Sequence, residues 1–285
     1  MHWIKDINGF FAMTSAWKAL TARLETSIYE EMQEPIDGYC EICNQVVGFS
    51  FSKTNNSWID LRGEFVCQKC MFSARIRFLL SAIVNQIGEL HESNILLFEQ
   101  ITPLYRHMKS LYPNVVGCEY LGESYLSGQC INFNGQHILH QDMLSSSYPD
   151  SHFDYVFHSD VLEHVPDYLK ALKENYRILK KEGVLIFAAP IYNHYEHIIC
   201  AKIDNYGGIS HLEEPAYHGN PLSDKGSLVF TRFGYKIVQE LRDIGFSDVV
   251  IGFNYSLFDG YVSNGNPYYE IGHMWPVLIK ASRMA

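Results

Sequence analysis

Four of the seven cysteines stand in two C-x-x-C pairs, Cys40 with Cys43 and Cys67 with Cys70. Two short loops that each offer two thiolates suit one tetrahedral ion, and zinc is the metal such a set takes. All four positions would be filled by protein, so the ion would be structural and not catalytic. The spacer between the pairs is slightly longer than the usual window, and a redox pair is the competing use of C-x-x-C. Two pairs in one short stretch favour zinc. Cys118, Cys130 and Cys200 stand alone and read as ordinary packing residues.

A second group could move protons. Asp160, Glu163 and His164 form D-x-x-E-H, which falls on one face if it opens a helix. The stretch 191–228 concentrates Tyr192, His194, Tyr195, His197, His211 and His218. Imidazoles and phenols near a reacting oxygen are the usual general bases. From this group His164, Tyr192, His194 and His218 are the catalytic candidates. Any single loop histidine is more often a surface residue than a catalyst.

The elements that must position these groups follow from periodicity. Residues 1–35 read as a helix with an intermittent aromatic face, expected to pack on the main domain or on a second copy of the chain. Two knuckles and short alternating segments follow, then a long helix over 73–90. From there strand and helix alternate. Strands are predicted at 94–98, 114–118, 137–140, 153–158 and 183–189, with two more near the end in "SDVVIGF" and "MWPVLIKAS". Helices are predicted at 103–111, 160–164 running on through 167–180, and 229–245. Such alternation implies a mostly parallel, doubly wound α/β sheet with helices on both faces. Residues 191–228 read as one long irregular loop, of the kind that serves as a lid or binding loop. The expected division is a helical segment at 1–36, a zinc-ribbon module at 37–72 and an α/β domain at 73–285.

Bulk composition narrows the class. The chain has 285 residues, 47% hydrophobic and 19% charged, enough for a large core. A formal net charge of -10 argues against a grip on phosphate backbones, so nucleic acid is not the expected partner. No secretory signal and no unbroken apolar run long enough to span a membrane are evident, which makes the cytoplasm the expected compartment.

The run "DMLSSSYPDSHFD", "VLEHVPD", "YRILKKEGVLIF" and "AAP", between Asp142 and Pro190, resembles in order and spacing the class I S-adenosylmethionine-dependent methyltransferases. The resemblance covers about residues 94–280. It implies a Rossmann-like fold, S-adenosylmethionine as cofactor, and ligands outside the carboxyl ends of the strands. By the same resemblance, Glu119 after the second strand binds ribose hydroxyls. Asp142 accepts from the adenine amino group beside Met143, and Tyr120, Ser159 and Asp160 line the cofactor. Where the family carries glycines, this chain has Glu99, Ile101 and Pro103. The segments "EQITPLY" and "GCEYLG", with the paired knuckles and the late "YHGNP" and "GSLVF" stretches, resemble a bacterial subgroup with such a variant turn. There Thr102 would close the turn by side-chain hydrogen bonds, and Glu99 would meet the amino group of the methionine moiety. The D-x-x-E-H spacing also resembles the E-x-x-E-H metal motif of some O-methyltransferases, with a shorter first acid; the metal-free reading, a helix opening beside the cofactor, is the stronger of the two.

The expected activity is methyl transfer to a small-molecule or glycan-type acceptor, at oxygen. The alternatives are a catalytically silent scaffold that binds a protein partner through the ribbon and the N-terminal helix, and a nucleic-acid methyltransferase guided by the ribbon. A homodimer through the N-terminal helix is a further expectation.

Overall fold

The computed structural model describes residues 1–31, 34–51, 61–87, 92–263 and 274–284. Seven strands build the main sheet: β1 (His2–Ile4), β2 (Ile95–Leu97), β3 (Val115–Gly117), β4 (Phe153–Ser159), β5 (Leu179–Ala188), β6 (Phe246–Phe253) and β7 (Val277–Arg283). Their order across the sheet is β1-β6-β7-β5-β4-β2-β3. The pairs β3–β2, β2–β4 and β4–β5 are parallel, while β7 runs antiparallel to both β5 and β6. Beyond β3, the strand Gln136–Leu139 approaches through a parallel bridge between Glu119 and His140. This is a Rossmann-like, doubly wound sheet whose order reverses at β2 and β4, and such reversal points are where α/β folds open a crevice for ligands.

Side-chain alternation sends successive strand residues to opposite layers. Val156, Leu185 and Phe187 pack with Ile7 and Phe10 of α1 (Ile7–Glu31) and with the two helices flanking the late strands. Those are α4 (Tyr168–Ile178) and α5 (Ile237–Ile244). Tyr155, Phe157, Val184 and Ile186 point the other way, onto α2 (Ala74–Ile87) and α3 (Pro103–Leu111). The helix starts are chemically marked. Thr102 caps α3 by accepting from the Tyr105 N–H, with Pro103 at the first turn, and Asp167 caps α4 by accepting from Lys170.

The cysteine module has its own small core. Ile36–Cys40 and Gln45–Ser50 form a hairpin to which Val66–Cys67 adds an edge. Phe49, Phe65, Leu61, Val262 and Ile28 pack beneath it. Arg77 fixes the module to the main domain. It is fully buried, lies 4.4 Å over the Phe49 ring and 5.1 Å from that of Tyr261, and donates to the carbonyls of Asp259 and Gly260 at 2.8 and 2.9 Å.

Four elements differ from the sequence expectation. The helix expected over 160–164 and on through 167–180 is a short 3-10 turn at Leu162–His164 and a separate helix at Tyr168–Ile178, with Leu179 already in β5. The first residues are not helical: His2–Ile4 pairs with Ile251–Phe253 and extends the main sheet before α1 begins. The supposed irregular loop after β5 holds small antiparallel ladders, Ile198–Ile199 with Thr231–Arg232, Ala201–Ile203 with Ile209–His211, and Tyr217–Asn220 with Ser223–Leu228. The helix expected from 229 starts at Ile237, because Phe230 spends its backbone on tertiary bonds, its N–H on the Glu163 carbonyl at 2.8 Å and its carbonyl on Cys200 at 2.8 Å. The helix predicted over 73–90 is observed over Ala74–Ile87, and its last expected turn lies outside the described residues. Among the described residues, no helix is long and apolar enough to cross a membrane.

Candidate functional site

The site is built at the carboxyl ends of β2, β3 and β4. After β2 the chain makes the glycine-free turn Glu99–Thr102, and two side chains tie it down. Glu119, just past β3, accepts with Oε1 from the Gln100 and Ile101 N–H groups at 2.7 and 3.0 Å. Gln100 reaches the next strand, accepting from the Leu139 N–H at 2.8 Å and donating to the His137 carbonyl at 3.0 Å. Backbone N–H groups that other turns leave free for a ligand are here satisfied by a carboxylate. The close approach moves to Gly117, where a Cβ would lie 2.5 Å from the Tyr105 ring and 2.8 Å from the Glu99 carbonyl oxygen. Burial pushes the Glu99 carboxyl up to about 7, against the pull of a Thr102 hydrogen bond and the Arg75 charge, and its Oε1 is buried with no hydrogen-bond partner. Burial also raises Glu119, and the two turn N–H groups counteract it.

Asp142 sits past the strand Gln136–Leu139. Its N–H donates to the Ser127 hydroxyl at 3.0 Å, and its Oδ1 accepts from the Leu144 N–H at 2.8 Å, the mark of a tight Asx turn. Met143 beside it is buried in the core. Tyr120 is exposed, its ring 5.5 Å from that of buried His140, which accepts from the Leu121 N–H at 3.0 Å.

At the end of β4, Ser159 and Asp160 meet two arginines. Arg62 grips the Asp160 carboxylate with both Nη atoms, at 2.8 and 3.2 Å. Arg75 reaches Asp160 at 3.0 Å and the Ser159 hydroxyl at 2.9 Å. Burial would raise the Asp160 carboxyl, but the two guanidinium charges outweigh it and hold it well below the usual carboxylate range. Asp160 has φ +51, a left-handed backbone that the arginine grip helps to hold. The two arginines come from the cysteine module and from the start of α2, so that module reaches the crevice directly.

One turn later, Leu162–His164 forms a short 3-10 helix. Glu163 is 1% exposed, and neither carboxylate oxygen has a hydrogen-bond partner. Its Oε1 lies 3.6 Å from His164 Nε2 and 3.5 Å from Nδ1 of His218, which arrives on the hairpin strand Tyr217–Asn220. His164 Nδ1 is 2.8 Å from the Leu228 carbonyl, which can only accept, so Nδ1 carries a hydrogen and donates it there, and Nε2 faces Glu163. Tyr192 and His194 stack on each other, 5.9 Å apart, with Asn193 between them bonded to Thr14 of α1 at 2.9 Å. Of the four catalytic candidates, the fold therefore brings His164 and His218 together and pairs Tyr192 with His194.

The four cysteines also converge. Their sulfur atoms all lie within 4.8 Å of one another, with Cys40–Cys70 at 3.9 Å and Cys43–Cys67 at 3.8 Å. A tetrahedral ion with sulfur at ~2.3 Å sets its ligands about 3.8 Å apart, the separation that the Cys40–Cys70 and Cys43–Cys67 pairs show.

Sequence reasoning missed Ser127, His140, Arg62 and Arg75, all of which act through long-range pairing, whereas the Glu99–Gln100 turn was expected to use side-chain hydrogen bonds and Gln100 makes them. For Glu163 the D-x-x-E-H spacing carried a signal, but it named Asp160 as its partner, whereas the fold supplies His218.

Comparison with known proteins bears on the same stretch. The methyltransferase-domain family profile matches residues 103–187, starting just past the glycine-free turn and ending in β5. A demethylmenaquinone methyltransferase from Staphylococcus haemolyticus is 42% identical over 55 residues, 19% of this chain and 23% of the relative. One from Listeria welshimeri is 42% identical over 48 residues, 17% of this chain and 20% of the relative. The chain thus spans about a quarter or less of the length of these curated relatives. Among solved structures, an S-adenosylmethionine-dependent methyltransferase from Mesorhizobium loti aligns over 72% of this chain and 98% of its own, at 16% identity and a TM-score of 0.41. The segment that the methyltransferase-domain profile matches is the one whose strands and turns hold Glu119, Asp142, Asp160 and Glu163.

Proposed function

We propose that this chain transfers a methyl group from S-adenosylmethionine to a hydroxyl of a small-molecule or glycan-type acceptor. The observation that carries the reading is the locked turn. Glu119, Gln100 and Thr102 hold a defined crevice where glycines are missing, and Asp142 stands on the neighbouring strand end, in line with the matched domain. The cofactor supplies a methyl group activated on a sulfonium. The residues bind and orient it. Glu119 Oε2 accepts from ribose hydroxyls while Oε1 keeps the turn, Asp142 Oδ2 accepts from the adenine amino group, and Met143 gives the base an apolar neighbour. Tyr120 and Ser159 border the same crevice, and Asp160 acts through its arginines. Glu99 is the counter-charge for the methionine ammonium. In the transfer the acceptor oxygen takes the methyl as the carbon–sulfur bond breaks, and the acceptor proton leaves to a nearby base. His164 and His218 are the bases this crevice offers, and Tyr192 and His194 belong to the acceptor side.

The cysteine cluster is proposed as a structural zinc site, and the division into segments 1–36, 37–72 and 73–285 is kept as an organisational reading. The cytoplasm is the proposed compartment, where four reduced thiols can hold an ion. The net charge of -10 favours a small acceptor over a nucleic acid. A homodimer is supported by an apolar stripe on α1. Met13, Trp17, Leu20 and Leu24, spaced three and four residues apart, are 37, 51, 68 and 40% exposed. The same stripe favours the second reading, a scaffold that binds a protein partner.

Calorimetric titration with S-adenosylmethionine and its demethylated product decides between them. Methyl transfer requires binding near one per chain that Asp142→Ala weakens at least about tenfold while leaving thermal stability almost unchanged. A folded, zinc-loaded protein that binds neither compound leaves the scaffold.

A further inference from the structure

Among the described residues, Glu163 is a buried carboxylate that the fold leaves without a hydrogen-bond partner on either oxygen. A carboxylate that is 1% exposed and has no hydrogen-bond partner on either oxygen is destabilising unless something of opposite charge meets it. Two imidazole nitrogens face it, His164 Nε2 at 3.6 Å and His218 Nδ1 at 3.5 Å. These separations are too long for hydrogen bonds and close to what two ligands of one ion show. Atoms at ~2.0–2.1 Å from a tetrahedral centre stand about 3.4 Å apart. The three donor atoms lie within 4.8 Å of one another.

We infer that Glu163, His164 and His218 form a second metal site, distinct from the four-cysteine cluster, which takes a divalent cation of the zinc or manganese kind. Two imidazoles and one carboxylate leave coordination positions open, unlike the closed cysteine set. The outer support is in place. The Leu228 carbonyl accepts from His164 Nδ1 at 2.8 Å, which fixes the ring and aims Nε2 inward. The two rings stand at 90° with centroids 4.9 Å apart, so their nitrogens converge on the carboxylate instead of stacking. Asp160 takes no part, because Arg62 and Arg75 hold its carboxylate. His218 and Leu228 both ride on the hairpin of Tyr217–Asn220 and Ser223–Leu228, and the Phe230 N–H after it bonds the Glu163 carbonyl at 2.8 Å. An ion here therefore clasps that hairpin to the end of β4. The His218 side chain is 40% exposed, so the open positions face solvent. Building on the methyl-transfer reading, they suit an acceptor that presents a hydroxyl to the ion; His164 and His218 then serve as its ligands, and with the ion bound neither is the base.

The test is an ion count on the zinc-loaded, full-length protein. Mn2+ is titrated and followed by electron paramagnetic resonance, with the zinc of the cysteine cluster measured in parallel. The expected result is one Mn2+ per chain, with affinity falling at least about 100-fold in Glu163→Gln and in His218→Asn while both variants keep their zinc and their far-ultraviolet circular dichroism. Absence of Mn2+ binding, with Zn2+ or Co2+ also failing to add a second ion, overturns the site. Binding that survives both substitutions overturns it as well. S-adenosylmethionine titration of the same samples separates the two proposals. Cofactor binding without a second ion removes the metal site alone, and a second ion without cofactor binding removes methyl transfer alone.

Discussion

Glu99 is the residue whose protonation should be visible in solution. Its carboxyl is pushed up to about 7 by burial, whereas in the unfolded chain it ionises near 4.5. The folded state thus keeps a proton that the unfolded state gives up first. Its contribution to stability is complete below about 4.5, falls as pH rises and levels off above about 7, with a span of at most about 3 kcal/mol. Glu99→Gln should flatten that part of a denaturation profile taken between pH 4 and 8. The same group should make cofactor affinity rise with pH up to about 7, since only the ionised form pairs with an ammonium. A wild-type affinity that is flat across that range would remove Glu99 from the cofactor site. Asp160 behaves in the opposite sense. Its carboxyl is held below the usual range by Arg62 and Arg75, so its stabilising effect is present above the unfolded value and is lost on acidification. Arg62→Met removes the two-pronged partner of a buried carboxylate and should cost about 3 kcal/mol in urea denaturation. A loss under ~0.5 kcal/mol would mean that Arg75 alone suffices.

At the scale of elements, what was legible in the sequence was what is local. The Thr102–Pro103 start and the apolar spacing after it place α3 over Pro103–Leu111, as the periodicity predicts. The strands β4 and β5 announce themselves by the short apolar runs Tyr155–Phe157 and Val184–Ala188, and the cysteine spacing announces a cluster. The ladders between Ile198 and Leu228 were not legible, because their strands are short, polar and exposed and gain their pairing from the fold. Nor were Arg62 and Arg75, whose partner Asp160 is remote in the chain and whose own surroundings look like an ordinary charged surface. These arms make the cysteine module part of the crevice. Cys40→Ser with Cys43→Ser should abolish zinc binding and, by releasing Arg62, weaken S-adenosylmethionine binding too, measurable by metal analysis and calorimetry on one sample. Zinc loss with unchanged cofactor affinity would show that Arg62 holds its place without the ion.

The whole molecule is stitched from its two ends inward. If α1 pairs two copies, Trp17→Lys with Leu20→Lys should halve the mass seen by sedimentation velocity and leave the far-ultraviolet circular dichroism unchanged; a monomeric wild type excludes the dimer. Beneath that helix, β1 lies against β6, with Trp3 so close over Gly252 that a Cβ there would sit 2.6 Å from the ring, and with the Lys280 ammonium 4.5 Å from the ring centre. Strand β1 thus waits for a partner, β6, made far later in the chain. At ~5–20 residues per second, that wait is roughly 10 to 50 s. Through it, Ile7 and Phe10 lack the β-layer that buries them, and the nascent chain carries an aromatic N-terminal segment for holding factors to grasp. Sheet closure is then timed by translation and not by the folding speed of the sheet itself.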